Sequence, residues 1–275
     1  MSADLHVHTN CSDGIYSPQE IVAQAGAAGL KTIAITDHDS IDGHLKLGEL
    51  AAASTVEVIP GIEFSTDLPA NEVHILGYFI DIRHAALTSK LAAIAADRIS
   101  RTQKMVAKLN ELGYAICYER VLKLAGTGTV GRPHVAAALV DAGYFSDMAE
   151  VFHTVLGKNK PAYVPHYKMK PGETITLIEQ AGGIPVLAHP GQVGDEGIVG
   201  EVIKLGIKGL EVYHPSHTKE QETKYLSVAR QAGLLVTGGS DFHGFSGRIP
   251  ERLGELYISD AFTDELTKFS TACRG

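Results

Sequence analysis

The sequence is poor in cysteine. Its 275 residues include three, Cys11, Cys117 and Cys273, which are widely spaced and form no Cys-x-x-Cys pair. An odd number of scattered cysteines argues against a disulfide framework. We therefore expect the protein to work in the reducing cytoplasm.

The sequence also lacks long apolar runs and an excess of positive charge. No stretch is long and apolar enough for a membrane span, and the amino terminus lacks the basic flank and apolar core of a signal peptide. We expect neither secretion nor membrane insertion. The net charge is −8 with histidine counted as neutral, which argues against binding of long duplex nucleic acid through phosphates. Phosphate recognition would need a local pocket with cations or metals.

Short apolar strands that deliver ionisable residues alternate with helical stretches through much of the chain. The strand stretches, with the polar residues that end them, lie at 4–9, 31–36, 56–64, 72–78, 183–190, 207–214 and 234–243. This alternation predicts an α/β fold with parallel strands and right-handed crossovers, and a closed barrel places its chemistry at the strands' carboxyl ends. An open doubly wound sheet is the alternative, but no Gly-x-Gly-x-x-Gly follows the first strand to support a dinucleotide site.

Between residues 85 and 163 the pattern changes to successive helices without strands. We predict that residues 1–84 and 164–275 form the barrel domain, and that residues 85–163 form a helical insertion that caps the active site.

The first strand, Asp4-Leu5-His6-Val7-His8-Thr9, is a candidate metal clamp. Successive side chains of a strand point to opposite faces, so His6 and His8 project to the same side. A half-buried strand with incidental histidines is the alternative for this motif taken alone, because short motifs often occur by chance.

Other strand ends supply more nitrogen and oxygen donors. The full candidate set is His6, His8, Asp13, His38, Glu63, His74, His189, Asp241 and His243. These donors exceed the needs of one ion, so they suggest two or three metals bridged by a carboxylate such as Glu63. The alternative is that several are ordinary polar residues, but buried carboxylates and imidazoles need partners that a metal cluster supplies.

Five motifs in order resemble those of the polymerase and histidinol phosphatase (PHP) family. They are the Asp4–Thr9 opening, Thr36-Asp37-His38-Asp39, Gly61-Ile62-Glu63-Phe64-Ser65, Ala188-His189-Pro190 and Ser240-Asp241-Phe242-His243. The resemblance spans nearly the whole chain. It implies a phosphoesterase with a distorted (β/α)7 barrel and up to three divalent metal ions, with manganese expected and zinc or iron as alternatives.

The resemblance also implies how the ligands are shared among the ions. One ion would be held by His6, His8, Glu63 and Asp241, a second by Glu63, His74 and His189, and a third by Asp13, His38 and His243. Glu63 would bridge the first two ions. Some relatives have histidine where this chain has Asp13.

A helix start at Gly131-Arg132-Pro133-His134 is a candidate phosphate site. Free backbone N–H groups, the positive end of the helix dipole and the Arg132 guanidinium could all face an anion. A helix start with a surface arginine is the alternative. Lys158 and Lys160 could add positive charge where the insertion rejoins the barrel, although a solvated loop explains Lys160 nearly as well.

His214 follows the strand at 207–213, so we consider it for leaving-group protonation or substrate contact. A hydrogen-bonded structural histidine is the alternative. We assign His44, His84, His153, His166 and His217 to the surface or to packing.

Stand-alone PHP chains with an inserted helical region and a Gly-Arg-Pro-His motif resemble 3′,5′-nucleoside bisphosphate phosphatases and ribonucleases that trim 5′-phosphorylated RNA. We therefore predict hydrolysis of the 3′-phosphate of such a bisphosphate (pAp), and of short 5′-phosphorylated oligoribonucleotides, by water that the metals acidify. Arg132, His134 and Lys158 would bind the 5′-phosphate, and Arg132 would also offset charge on phosphoryl oxygens. A histidinol-phosphate phosphatase and a non-catalytic metal-binding module are the alternatives.

Overall fold

The computed structural model describes residues 2–48, 54–68, 71–126, 130–165, 167–247 and 249–274. The strands are β1 (Ser2–Val7), β2 (Thr32–Ile35), β3 (Glu57–Asp67), β4 (Glu72–Tyr78), β5 (Ile184–Leu187), β6 (Gly209–Tyr213), β7 (Leu235–Gly238) and β8 (Ile258–Ser259). The helices are α1 (Pro18–Ala27), α2 (Asp42–Leu47), α3 (Ala85–Glu111), α4 (Tyr118–Ala125), α5 (Arg132–Asp141), α6 (Met148–Val151), α7 (Pro171–Gln180), α8 (Glu196–Lys204), α9 (Lys219–Ala232) and α10 (Asp260–Arg274).

The strands form one sheet in the order β7-β6-β5-β4-β3-β2-β1-β8. A parallel bridge joins Val7 of β1 to Phe242, just beyond β7, and the backbone N–H of His8 donates to the Phe242 carbonyl (2.9 Å). These contacts bring the β7 end of the sheet against β1 and nearly close the barrel. The predicted α/β barrel is confirmed.

Among the strands predicted from the sequence, β4 runs against the expected parallel direction, and the short β8 also pairs antiparallel with β1. β4 pairs antiparallel with both β3 and β5, whereas β1–β2–β3 and β5–β6–β7 pair in parallel. The connection from Asp67 to Glu72 is too short for a crossover helix, so it permits only a hairpin. As a result, the start of β4 lies at the same edge of the sheet as the end of β3.

The chain divides into two compact units, Met1–Ser89 with Lys168–Gly275, and Lys90–Tyr167. In the barrel unit one apolar cluster includes Leu5, Leu76, Tyr78 and Val186, and another includes Val7, Ile21, Ile33 and Phe242. The helical unit has its own apolar core, which includes Leu109, Val121, Val135, Leu139 and Leu156. Each unit therefore buries enough apolar surface to hold its own side chains in place.

None of the described helices combines the length and the apolar character needed to cross a membrane.

Candidate metal centre

Glu63 lies at the centre of the predicted site and is almost fully buried. Its Oε2 is 3.2 Å from Nε2 of His6, Nε2 of His8 and Nδ1 of His38. Its Oε1 is 2.8 Å from Nδ1 of His74 and 3.0 Å from Nε2 of His189. The two oxygens of one carboxylate therefore face two separate sets of imidazoles, which is the geometry of a bridging ligand.

The strand pairing explains how Glu63 and His74 meet. In the antiparallel β3–β4 pair, Glu63 lies opposite Leu76 and Ser65 lies opposite His74. Opposite residues share a face, and so do residues two apart along a strand, so Glu63 and His74 are diagonal neighbours on one face. The reversed direction of β4 thus brings His74 to the end of β3.

The candidate donors form three overlapping groups, within each of which the ligand atoms lie within 4.8 Å of one another. They are His6, His8, Glu63 and Asp241; His38, Glu63 and His74; and His8, Asp13, His38 and His243. The first group coincides with the first predicted ligand set. The second has His38 in place of the predicted His189, although His189 contacts the same Glu63 oxygen as His74. The third contains the predicted set together with His8.

Asp241 and His189 adopt backbone conformations that residues other than glycine rarely take, with φ of +51° and +26°. Such conformations are retained where the surroundings hold them, and they cluster at functional sites. Asp241 Oδ1 lies 3.1 Å from Nε2 of His8 and 3.5 Å from Nε2 of His6. A side chain on Gly239 would collide with His6, so glycine there permits the close approach of β7 to β1.

Asp13 forms the solvent-facing side of the centre, with its side chain 50% exposed. Its carboxylate contacts Nε2 of His243 (3.2 Å) and Nδ1 of His8 (3.6 Å). Although burial opposes ionisation, the hydrogen bond from His243 and the charges of His38 and His8 hold the pKa of Asp13 far below its usual range.

The pKa values of the donor set show how strongly the imidazoles and carboxylates are coupled. Burial favours neutral histidine, but hydrogen bonds to Asp241 and Glu63 outweigh it and raise the pKa of His8 to about 10. The charge of Glu63 likewise outweighs burial and raises the pKa of His74 to about 10. At His38 burial prevails and lowers the pKa to about 4. Glu63 has a pKa well below its usual value because the surrounding imidazoles outweigh its burial.

This donor set fits divalent metal ions. Nε2 of His6 and Nε2 of His8 lie 3.1 Å apart in a fully buried position, with Glu63 and Asp241 beside them. Without a cation, so many ionisable groups would be buried at high cost unless they shared protons. Imidazole and carboxylate ligands together suit manganese, iron or zinc.

His214 lies at the edge of this centre. It is buried, and its Nε2 is 3.6 Å from Asp241 Oδ2. The hydroxyl (2.8 Å) and the backbone N–H (3.1 Å) of Ser216 both contact its Nδ1, so Nε2 is the nitrogen that faces the centre. By contrast, His44 and His217 are buried and bonded to backbone groups, and His166 lies outside the described residues.

Sequence reasoning missed two carboxylates that support the centre. Asp37 accepts hydrogen bonds from the Thr9 N–H (2.7 Å) and the Ser12 hydroxyl (2.6 Å), and so shapes the loop that carries Asp13. Glu211 is fully buried in β6, with its Oε1 2.9 Å from Nδ1 of His6. For Glu211, the sequence signal was an acidic residue inside an otherwise apolar strand.

The other substrate candidates, Arg132, His134 and Lys158, lie in the helical unit. The Arg132 guanidinium lies over the rings of Tyr163 (5.6 Å) and Phe152 (6.0 Å). α5 begins at Arg132, which places Pro133 at the second helical position, one later than expected. His134 Nδ1 accepts the Gly131 N–H (3.1 Å), and Lys158 is exposed.

Comparison with known proteins gives concordant matches. The model of the PHP domain matches residues 4–163. The chain is 34% identical to the 3′,5′-nucleoside bisphosphate phosphatase of Chromobacterium violaceum, covering 89% of both chains. It is also 34% identical to the 5′-3′ exoribonuclease Rnm of Salmonella typhimurium, covering 87% of this chain and 84% of that relative. A solved structure from Bifidobacterium adolescentis, assigned to the metal-dependent phosphoesterases, superposes with a TM-score of 0.83 at 32% identity, covering 97% of this chain and 95% of that one.

Proposed function

This chain belongs to the PHP-domain family and is a metal-dependent phosphoesterase; from that premise we propose that it removes the 3′-phosphate of a 3′,5′-nucleoside bisphosphate and also acts on short 5′-phosphorylated oligoribonucleotides. The match to the PHP-domain model and the identity to these relatives confirm the family resemblance that the motifs indicated. Two relatives at equal identity carry different substrate names, so the substrate is the proposed part.

The observation that carries the proposal is the two-sided environment of Glu63. One oxygen faces His6, His8 and His38, and the other faces His74 and His189. When bound at such a centre, divalent ions acidify water and offset negative charge on phosphoryl oxygens. The chain's own contribution is to hold the donors rigidly: Glu63, His6 and His8 are all buried and fixed by short contacts.

A pair of arginines in the helical unit supports a substrate with a second phosphate. Arg101 is 7% exposed and its Nε donates to the Val164 carbonyl (2.8 Å). Burial, and then repulsion from the charge of Arg132, lower the pKa of Arg101 to about 10. The charge of Arg132 therefore acts on Arg101, and a phosphate that binds to both guanidinium groups would offset this repulsion. We assign the 5′-phosphate to this pair, with His134 and Lys158 as further contacts.

We assign leaving-group protonation to His214. Its Nε2 faces Asp241 Oδ2 (3.6 Å) at the edge of the centre, while Ser216 contacts its Nδ1. As an imidazolium, His214 can give its Nε2 hydrogen to the departing ester oxygen and keep its Nδ1 hydrogen, which the Ser216 hydroxyl (2.8 Å) can accept. The backbone contact also fixes the orientation of the ring.

The arginine pair also bears on the rival substrate. Histidinol phosphate carries one phosphate and a positively charged amine, so it offers the two arginines a cation in place of a second anion. A bisphosphate carries a second anion, which is the charge that the arginines would bind. This favours a nucleotide substrate over histidinol phosphate.

The test is a substrate panel with manganese added to the purified protein. The panel contains pAp, 5′-AMP, a short 5′-phosphorylated oligoribonucleotide and histidinol phosphate, and product release is followed as phosphate or nucleotide. We expect kcat/KM to be largest for pAp. Activity on histidinol phosphate alone would reverse the substrate assignment, and stoichiometric metal without turnover of any ester would favour a binding module.

A further inference from the structure

Glu211 is a completely buried carboxylate in the middle of β6, between Leu210 and Val212. Its Oε1 lies 2.9 Å from Nδ1 of His6, and its Oε2 accepts a hydrogen bond from the backbone N–H of His189 (2.8 Å). Each oxygen of this carboxylate therefore contacts a different residue of the metal centre. A buried carboxylate with two short contacts of this kind is a strongly held group.

The contact with His6 determines which ring nitrogen faces the centre. An ionised carboxylate only accepts hydrogen bonds, so the hydrogen between the two groups belongs to Nδ1 of His6. The other nitrogen, Nε2, points toward Glu63 Oε2 (3.2 Å) and Asp241 Oδ1 (3.5 Å). Glu211 thus presents the Nε2 lone pair of neutral His6 to the site.

The contact with His189 acts on the backbone. His189 has φ of +26°, which a residue with a side chain adopts only when its surroundings hold it there. The hydrogen bond from its N–H to Glu211 is one such restraint. In this conformation Nε2 of His189 lies 3.0 Å from Glu63 Oε1, on the opposite side of the bridging carboxylate from His6.

We propose that Glu211 is a positioning residue that orients ligands of two metal ions at once, His6 through its ring and His189 through its backbone. The inference rests on the metal roles proposed for those two histidines. Outer-shell carboxylates of this kind raise ligand basicity and fix ring orientation, and their replacement costs about 10- to 100-fold in metal affinity. Glu211 makes both contacts from one rigid strand.

The substitution Glu211→Gln separates these contacts with little change in volume. A carboxamide has one oxygen and one NH2 group, so it can accept from His189 or from His6, but not from both. If its oxygen keeps the His189 N–H, its NH2 faces Nδ1 of His6 and moves the ring hydrogen to Nε2, where it blocks ligation. We expect about a 10- to 100-fold loss of Mn²⁺ affinity at one or both sites next to Glu63, measured by calorimetric titration and metal analysis.

Tyr78→Phe is the matched control. Tyr78 is fully buried in β4 of the same barrel, and its hydroxyl donates to the Leu5 carbonyl (2.9 Å). The variant loses a buried hydrogen bond without removing a contact to a proposed ligand. We expect it to lower thermal stability while leaving Mn²⁺ affinity unchanged.

The outcomes separate the inference from the proposed function. Wild-type protein without stoichiometric metal would overturn the proposed function. Metal-binding wild type with an equally tight Glu211→Gln variant would overturn the inference alone, as would an equal loss of affinity in Tyr78→Phe. If Glu211→Gln does not fold, the zinc-loaded wild type with ¹⁵N-labelled histidine provides the test by NMR. His6 must then carry its hydrogen on Nδ1, and coordination through Nδ1 would refute the assignment.

Discussion

The barrel unit and the helical unit hold their candidate functional residues in different ways. In the barrel, His6, His8 and Glu63 are buried and in short contact with other ionisable groups. In the helical unit, Arg132 is half-buried against aromatic rings and Lys158 is exposed. The barrel therefore fixes its donors through a charged network, whereas Arg132 and Lys158 are held with fewer restraints.

From this difference we infer that the barrel unit carries out the chemical step and that the helical unit contributes to substrate choice. Donors of a metal centre must be held within a fraction of an ångström, and strand ends supply that rigidity. A phosphate-binding cation tolerates more movement, because charge acts over a longer distance and both side chain and phosphate can adjust. We expect substitutions in the barrel to abolish turnover, and substitutions in the helical unit to change KM.

The largest expected effect follows removal of a central barrel donor. We expect His8→Ala or Asp241→Ala to lower kcat/KM on every ester by at least about 1,000-fold, because each loses a donor of the group around Glu63. Steady-state assays with added manganese measure the loss, and circular dichroism checks the fold. The matched control is His153→Ala, at an exposed position of the helical unit. Full activity in either barrel variant would refute the site.

The next effect concerns pH and separates the metal-free from the metal-loaded barrel. His8 and His74 have a folded pKa of about 10 against 6.5 for ordinary histidine. Their contribution to folding is complete below pH 6.5 and is lost as the pH rises toward 10. The pKa of His38 is lowered to about 4, so His38 destabilises the folded state only below pH 6.5. Above pH 6.5 it does not change how stability depends on pH.

We therefore expect the melting temperature of chelator-treated protein to fall by several degrees between pH 6.5 and 8.5. With excess Mn²⁺ the slope should reverse, because metal ligands must lose their protons before they bind. Thermal unfolding in parallel buffers measures both slopes. His74→Gln should flatten the metal-free slope and His153→Gln should not; parallel slopes with and without metal would contradict the coupling.

A smaller effect is expected from the helical unit at Arg132. Loss of charge-assisted hydrogen bonds to a 5′-phosphate costs about 1.5–3 kcal/mol, so Arg132→Ala should raise KM for pAp by about 10- to 100-fold with little change in kcat. On p-nitrophenyl phosphate, which lacks a second phosphate, kinetics should be unchanged. Arg120→Ala, which removes an exposed arginine paired with Asp141 in the same unit, is the control. A fall in kcat on p-nitrophenyl phosphate would instead place Arg132 at the reacting phosphoryl group.

The two units also differ in how many of their site residues and contacts could be predicted from the sequence. Strand periodicity and strand-end position bring His6, His8 and Glu63 together, because side chains alternate along a strand and the strand ends meet at one rim. The direction of β4, the approach of His8 to the Asp13 group and the role of Glu211 depend on three-dimensional pairing that no local pattern encodes. The stacking of Arg132 on Tyr163 likewise joins residues 31 positions apart.

The smallest expected effect is at Lys158, which sharpens the contrast within the helical unit. Its side chain is exposed, so its attraction to a 5′-phosphate is weakened by water and by the entropy of a long side chain. We expect Lys158→Ala to raise KM for pAp only about two- to fivefold, an effect that high salt should abolish because exposed charges are screened. The increase caused by Arg132→Ala should largely persist in salt, because the half-buried guanidinium is screened less. Lys123→Ala, at an exposed position of α4, removes the same charge as a control. An effect of Lys158→Ala as large and as salt-resistant as that of Arg132→Ala would contradict this prediction. It would show that the loop after the π-helical turn Phe152–Leu156 holds Lys158 firmly against the substrate. Lys158 would then be as firmly held as Arg132.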